Sequence, residues 1–370
     1  MDAANRVQTE AHTGATQTAA ALKNRWTQLR AEHPHLRTRD AAAQLNVSEA
    51  ELVATMCGEE ATRLAAPEGN WGALIENLKS LGRVMALTRN NEAVSERKGE
   101  YSRTELFPSH RMGQVLDEGI DLRLFFTTWT HAFALDEEGE SGRRKRSVQF
   151  FSADGNAIHK VFLQDGSDLQ AFDAYVARFQ SLDQSRALEV QPAPASPPER
   201  SDNEIDVATL RVDWSGLTST HDFFGLTRKH NVTRTQALRL AAPDMAYKVE
   251  NSSLRRVLDQ VAESELPIMV FVGNPGCIQI HSGAVSNIKP TGSWLNVLDA
   301  DFNLHVREDL IHTSWMVRKP TREGIVTSLE LYNTEGEQIA LLFSRRKDYR
   351  EESEAWRNVL SALPILSESA

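Results

Sequence analysis

Cysteine is scarce in this sequence, with only Cys57 and Cys277 among 370 residues. Two thiols cannot build a disulfide framework, a zinc knuckle or an iron–sulfur ligand set. Long hydrophobic runs are also missing, because no apolar stretch approaches the ~20 residues of a membrane-spanning helix. Residues 1–18 are polar and lack the hydrophobic core of a signal peptide. We therefore expect a soluble, cytoplasmic protein without membrane insertion.

Excess positive charge is absent too. The chain has 41 Lys and Arg against 51 Asp and Glu, a net charge of −10, and bulk electrostatics therefore disfavours a nucleic-acid partner. A hydrophobic share of 41% with 25% charged residues is that of an ordinary globular protein. The sequence has no P-loop and no GxGxxG, GxSxG, HExxH or CxxC motif, which argues against the enzyme classes that these motifs mark.

What the sequence does contain is a weak internal repeat. Residues 188–206 are rich in proline and charge, which is typical of an exposed linker. Matching blocks occur in the same order on either side of it: Asn46-Val47-Ser48 with Asn231-Val232-Thr233, Val115-Leu116-Asp117 with Val297-Leu298-Asp299, and Ser147–Phe151 with Ser328–Tyr332. Their offset drifts only from 185 to 181 residues, which indicates a duplication. We therefore predict two repeat halves, 1–187 and 207–370, joined by the linker.

Both halves show the same predicted order of elements. Helices come first, among them His221–His230 and Arg234–Leu240 in the second half. Short strands rich in β-branched and aromatic residues follow, separated by turn signals such as Thr334-Glu335-Gly336. Successive strands joined by short turns pair antiparallel. The predicted fold class is α+β, a tandem duplication in which each half has N-terminal helices and a large antiparallel sheet.

One segment of the first half, residues 40–54, resembles a helix-turn-helix. Its second helix would begin at Ser48, and Glu49 and Glu51 would then face the phosphates of DNA, which is repulsive. The equivalent segment of the second half carries Arg234 and Arg239, which leaves weak DNA contact open as an alternative. We favour the interpretation that both segments are packing helices, and we do not expect nucleic acid as a partner.

Among the eleven histidines, His221 has the most informative surroundings. It follows Ser219 and Thr220, either of which could cap a helix, and it precedes Phe223 and Phe224. A helix N-terminus disfavours the charged imidazolium, so the ring would stay neutral and able to ligate a metal. One histidine with an aromatic wall is enough for haem iron, whereas a histidine among apolar neighbours is more commonly structural. The residue pattern alone leaves both roles open.

Longer motifs are shared with a known family. In the second half they are Phe271–Asn274, Cys277–Ile280, Trp294–Val297, Phe302–His305 and Val317–Thr321, and in the first half Ala86–Asn90, Glu96–Gly99, Ile120–Phe125, Gln149–Phe151 and His159–Phe162. They resemble the bacterial cytoplasmic hemin-degrading and hemin-transport family of the HemS/HmuS/ChuS/PhuS type, roughly from Leu22 to Leu363. The resemblance implies two stacked antiparallel sheets, one supplied by each half, with haem b in a cleft between sheet and helices.

The resemblance also implies individual site residues. His221 is expected as the proximal ligand of the iron, and Arg123 as the distal residue that hydrogen-bonds water, hydroxide or dioxygen on the iron. These two would be the catalytic residues. Lys319 and Arg346 are expected near the two haem carboxylates, whose charge of about −2 requires cations. Phe271 is expected against the face of the porphyrin.

Two positions depart from the pattern of the family. Phe343 is expected at the haem edge, where relatives often carry a tyrosine, and Leu341 replaces a polar residue nearby. Because the hydrogen bonds of a phenol and an amide are then lacking, anchoring of the carboxylates would depend more on Lys319 and Arg346. No histidine of the first half aligns with His221, so we expect one principal haem site, in the C-terminal half.

The implied function is haem uptake and iron acquisition in the cytoplasm. The leading hypothesis is an enzyme that opens imported haem oxidatively and releases its iron, with electrons from a separate donor because the chain has no flavin or nicotinamide motif. The alternative is a non-enzymatic chaperone that delivers haem to a haem oxygenase, and a third is haem-linked regulation through the helix-turn-helix-like segments. Expected partners besides haem are an inner-membrane haem ABC transporter, a haem oxygenase or an electron donor, with the chain a monomer or a homodimer.

Overall fold

The computed structural model describes residues 18–139, 142, 144–193, 195, 198–345 and 352–366. Within these residues the chain forms ten α-helices and eighteen β-strands. The helices are α1 (Ala19–Glu32), α2 (Thr38–Leu45), α3 (Glu49–Ala54), α4 (Trp71–Asn77), α5 (Leu169–Phe179), α6 (Val207–Ser215), α7 (Asp222–His230), α8 (Arg234–Leu240), α9 (Ser253–Glu263) and α10 (Glu354–Ser361). None of these helices is long and apolar enough to cross a membrane.

The strands divide equally between the two halves. The first nine are β1 (Ala61–Leu64), β2 (Val84–Arg89), β3 (Ala93–Gly99), β4 (Thr104–Phe107), β5 (Met112–Leu116), β6 (Asp121–Phe125), β7 (Trp129–Glu138), β8 (Arg144–Ser152) and β9 (Ala157–Leu163). The second nine are β10 (Ala246–Val249), β11 (Ile268–Asn274), β12 (Cys277–Gly283), β13 (Ile288–Thr291), β14 (Trp294–Leu298), β15 (Phe302–Arg307), β16 (Thr313–Thr321), β17 (Gly324–Tyr332) and β18 (Gln338–Ser344). Helices and strands therefore recur in the same order in both halves, as the repeat predicts.

Two nine-stranded antiparallel sheets contain all of these strands. The first sheet has the order β1-β7-β8-β9-β2-β3-β15-β14-β13, and the second has the order β10-β16-β17-β18-β11-β12-β6-β5-β4. Each sheet thus takes six strands from one half and three from the other, and the expectation that each half supplies one sheet is corrected. The exchange has a physical reason, since β3 and β12 would otherwise be unprotected sheet edges.

The exchanged strands keep their apolar faces against their own half. Leu122 of β6 lies in a buried cluster with Leu74 of α4 and Phe172 of α5, although β6 is hydrogen-bonded into the second sheet. Leu304 of β15 lies correspondingly in a cluster with Val257 of α9. Each half therefore has its own hydrophobic core, while backbone hydrogen bonds join the two halves.

The repeated Asn-Val-Ser/Thr block has a local structural cause. Asn46 and Asn231 end α2 and α7 in the left-handed conformation, at φ 55° and 49°, which asparagine tolerates better than most residues. Ser48 and Thr233 then cap the next helices, each accepting a hydrogen bond from the backbone N–H three residues on, at 3.3 and 3.1 Å. The block is thus a helix stop followed at once by a helix start.

The acidic residues of α3 face the protein rather than solvent. Glu51 completes a capping box with Ser48, and Glu49 is 5% exposed and forms ion pairs with Arg89 and Lys160. Burial opposes ionisation of Glu49, but the two cations outweigh it and lower the pKa of this carboxyl from 4.5 to about 2. Glu49 therefore lies inside the fold, not where the helix-turn-helix alternative would place it.

Replacing Glu49 should change the acid sensitivity of the protein. A carboxyl with a depressed pKa stabilises the folded state above its unfolded pKa, and this contribution is lost as the pH falls toward the folded pKa. A shift from 4.5 to about 2 corresponds to about 3 kcal/mol. In urea unfolding between pH 6 and 2, the stability difference between wild type and Glu49→Gln should shrink by about that amount. A difference that stays constant with pH would contradict this assignment.

Candidate functional site

Four of the predicted site residues lie on one face of the second sheet. They are Lys319 on β16, Phe343 on β18, Phe271 on β11 and Arg123 on β6. Directly paired residues of antiparallel strands share a face, as do alternate residues along a strand. The face can be followed through the pairs Lys319–Val326, Ser328–Phe343, Leu341–Phe271, Phe271–Ile280 and Ile278–Arg123. Lys319 and Arg123 are five strand intervals apart along this face, about 24 Å between backbones.

Helices α6, α7 and α8 cover one end of this face. Trp214 of α6 and Phe223 of α7 are buried against Trp315 and Val317 of β16. Farther along, Phe271 and Phe343 are half-buried. The helices thus form a wall beside the apolar sheet face, and we call this wall and face together the C-terminal cleft.

The floor of the C-terminal cleft carries the predicted aromatic contacts. The rings of Phe271 and Phe343 meet edge to face with centroids 5.1 Å apart, an arrangement in which aromatic pairs are stable. Leu341, which pairs with Phe271, adds to the same apolar surface. A flat apolar ligand would find complementary surface here.

His221 stands at the N-terminus of α7. It occupies the cap position itself, and its backbone N–H donates to Ser219 Oγ at 3.3 Å. The expectation that Ser219 or Thr220 caps the helix is corrected, because His221 is the cap residue and α7 has no side-chain capping hydrogen bond among the described residues. The Asp222 carboxylate instead accepts the backbone N–H groups of Thr218 and Ser219, at 3.1 and 2.9 Å.

The imidazole of His221 is exposed. No hydrogen bond to its ring nitrogens comes from the part of the chain that the structure describes. Of the two phenylalanines that follow, Phe223 is 2% exposed and anchors α7, whereas Phe224 is 69% exposed. The ring nitrogens in this position are accessible to a ligand.

Arg123 lies at the other end of the face, on a strand from the N-terminal half. Its guanidinium forms an ion pair with Asp121 and donates to the carbonyl of Leu122 at 3.1 Å. Burial raises the pKa of Asp121 although the Arg123 charge opposes this. The Arg123 side chain is one-third exposed, so it presents a permanent positive charge to the cleft face.

Among the predicted residues that the structure describes, Lys319 is the least exposed, at 2%. Its Nζ donates to Glu330 Oε1 at 2.5 Å. Arg234 approaches the same carboxylate, with Nη2 2.9 Å from Oε2. The cation expected to meet a ligand carboxylate therefore meets a carboxylate of the protein, and its role toward a ligand stays a prediction.

Arg234 and Glu330 were not predicted as site residues. A signal was present in the sequence, since Glu330 is a charged residue in a strand whose neighbours Leu329 and Leu331 are apolar. A carboxylate at such a position requires buried cations. The two cations exceed the single carboxylate by one charge, so this group of three side chains carries one net positive charge.

Arg346 lies outside the described residues. The strand that leads toward it, β18, ends at Ser344. The expected pairing of Lys319 with Arg346 around the ligand carboxylates therefore stays a prediction.

The N-terminal half contains a corresponding cleft with different chemistry. A cavity of about 690 Å³ lies between α1, α2 and the equivalent face of the first sheet, and Trp26, Phe162 and Trp294 contribute to its walls. By the 185-residue offset, Leu36 stands where the C-terminal half has His221, and Leu36 lines this cavity. The two halves thus differ at this position, with Leu36 in the first half and the exposed His221 in the second.

The fold and the C-terminal cleft together define an internally duplicated α+β protein of the ligand-binding class. The sequence profile of the haemin-degrading HemS/ChuX domain matches residues 46–179 and 231–363. The chain therefore belongs to this family and carries one copy of the domain in each half.

Full-length relatives share this organisation. The hemin transport protein HmuS of Yersinia pestis is 39% identical over 345 residues, which cover 93% of this chain and 97% of that protein. The structure of holo-PhuS, a haem-binding protein from Pseudomonas aeruginosa, matches with a TM-score of 0.91 and 45% identity over 94% of this chain and 100% of that one. ChuS, an E. coli haem oxygenase, matches with a TM-score of 0.82 and 34% identity over 92% and 99%.

Proposed function

We propose that this protein binds imported haem in the cytoplasm and opens the macrocycle oxidatively to release iron. The single observation that carries the proposal is the C-terminal cleft, where an exposed imidazole stands beside an apolar sheet face with cations toward both ends. Haem is a flat apolar disc with two carboxylates. The aromatic floor suits the disc, and Lys319 and Arg234, which exceed Glu330 by one charge, suit the carboxylates. Membership in a family with haem-binding and haem-degrading members supports the same ligand.

The proposed roles follow from position. His221 ligates the iron, Phe271 and Phe343 contact the porphyrin, and Lys319 with Arg346 neutralises the carboxylates. Arg234 adds a cation beside Lys319 and is the more exposed of the two, with 30% against 3% of its side chain accessible. Arg123 supplies the hydrogen-bond donor and fixed positive charge on the distal side. Haem is the substrate here, dioxygen is the oxidant that supplies the inserted oxygen, and electrons come from a separate donor.

Delivery without degradation is the alternative function. It is supported by the relatives themselves, because the 45% identical PhuS is described as a haem-binding protein and the 34% identical ChuS as a haem oxygenase. Both functions use the same iron ligand and the same carboxylate contacts. Under either one, an inner-membrane haem transporter is the proposed source, and a haem oxygenase or an electron donor is the proposed partner.

His221→Ala should abolish the Soret spectrum of the normal hemin complex, because the cleft then has no imidazole at the edge of α7. The measurement is titration of the purified protein with hemin. His33→Ala, which removes an exposed histidine of the first half, serves as the control and should behave as wild type. An unchanged spectrum in His221→Ala would remove His221 as the ligand.

Turnover distinguishes the two functions. Purified hemin complex, supplied with an electron donor and with catalase to remove stray peroxide, should lose its Soret band and release a tetrapyrrole product and iron. Absorbance spectra, product chromatography and a ferrous-iron chelator report these events. Intact haem under these conditions, with ready transfer to another haem protein, would instead establish the chaperone.

Arg123→Ala should lower turnover more than hemin affinity, since the residue acts on the distal side and not at the iron ligand or the carboxylate end. Arg123→Lys keeps the charge without the planar donor group and should recover only part of the rate. Comparison of hemin dissociation constants with single-turnover rates tests this. Equal losses of affinity and rate in Arg123→Ala would contradict a distal role.

A further inference from the structure

We infer that Glu330 is a positioning residue for His221, acting through Lys319, Arg234 and the ring of Phe223. The inference rests on the proposed function, because it concerns how the ligand of the iron is held. It is carried by a closed set of contacts between β16, β17, α7 and α8.

Glu330 is the centre of this set. Its side chain has no exposed area and accepts hydrogen bonds from Arg234, Lys319, the Ser328 hydroxyl at 2.9 Å and the Tyr332 hydroxyl. Burial opposes ionisation of Glu330, but the charges of Arg234 and Lys319 outweigh it and hold the pKa of this carboxyl below its ordinary value. The carboxylate therefore stays charged and keeps both cations in place.

Lys319 and Arg234 both lie close to the ring of Phe223. Lys319 Nζ lies 4.7 Å from the centroid of the Phe223 ring, and the Arg234 guanidinium carbon lies 4.9 Å from it. Both are distances at which a cation is attracted to an aromatic face. Trp214 meets the same ring edge to face, with centroids 4.7 Å apart.

Phe223 connects this set to the iron ligand. It lies in the first turn of α7, two residues after His221 at the helix cap. Because two cations hold the buried ring of Phe223, the first turn of α7 has a fixed rotation relative to the sheet. The backbone of His221, at the cap of this turn, is fixed with it. The described residues provide no hydrogen bond to the exposed imidazole of His221. The orientation of this imidazole therefore depends on the position of the Phe223 ring.

Removal of the Glu330 charge would release this arrangement. Lys319 and the partly exposed Arg234 would then lack a counter-charge. Burial already lowers the pKa of Lys319 to about 8, and loss of the Glu330 charge, which opposes this, would lower it further. Without the carboxylate to hold them, both side chains would leave their positions beside Phe223. The first turn of α7 would then lose its fixed position, and the imidazole of His221 would adopt more than one orientation.

The N-terminal half provides a matched control. Glu49 is likewise a buried carboxylate between two cations, Arg89 and Lys160. Its arrangement is reversed, with the acid on a helix and both cations on strands, and the repeat places Gln149 at the position of Glu330. Loss of the Glu49 charge disrupts a comparable buried ion-pair network but leaves α7 unchanged.

The experiment compares Glu330→Gln, Phe223→Leu and Glu49→Gln as hemin complexes. Electron paramagnetic resonance and Soret spectra of the ferric state report the axial ligation, and titration reports affinity. Glu330→Gln should give a mixture of ligation states in place of one. If the competent orientation of His221 falls to about a tenth, hemin affinity falls about ten-fold. Phe223→Leu should give the same mixture, and Glu49→Gln should keep the spectrum and affinity of wild type.

Each opposing result is distinct. A wild-type ligation spectrum in Glu330→Gln overturns the inference, and so does reduced affinity with unchanged ligation, which would limit Glu330 to holding cations for the ligand carboxylates. Should Glu330→Gln fail to fold by circular dichroism, the ligation spectrum of Phe223→Leu decides the matter alone. Failure of the proposed function is separate, since it would appear as a wild-type spectrum in His221→Ala.

Discussion

Antiparallel pairing between β6 and β12 is the constraint on which the C-terminal cleft depends. It carries Arg123, a residue of the N-terminal half, onto the sheet face beside which His221 of the C-terminal half stands. Without this exchange of strands the two residues would belong to different sheets. The same pairing covers an edge of β12 that would otherwise be open to aggregation. Duplication thus built a sheet face that neither repeat contains by itself.

The second feature of the fold is a buried carboxylate between two cations in each half. Such groups are costly to bury, and breaking one removes several kcal/mol because the partner charges stay buried. Their chief effect is on geometry, since Glu49 ties α3 to the first sheet and Glu330 ties α8 to the second. Only the C-terminal network also contacts the helix that carries an exposed histidine.

Local patterns predicted most of the secondary structure. The helix Arg234–Leu240 has the predicted ends, because Thr233 caps it and the left-handed Asn231 separates it from the helix before it. Capping and turn chemistry act within a few residues and are therefore visible in the chain. The cap of α7 was less predictable, since the helix begins one residue later than the hydroxyl residues suggest, with His221 at the cap position and Asp222 accepting the backbone N–H groups of Thr218 and Ser219.

By itself the sequence determined the duplication, the α+β class, the order of elements and the family, because each of these is written in short-range periodicity or in shared motifs. It also singled out His221 and Arg123. Only the tertiary structure decided which strands exchange between sheets, that Lys319 faces Glu330, and that Arg234 joins them around Phe223. Those outcomes depend on which distant residues become neighbours and on how a buried charge finds its partners, and neither is encoded in the spacing of residues along one segment.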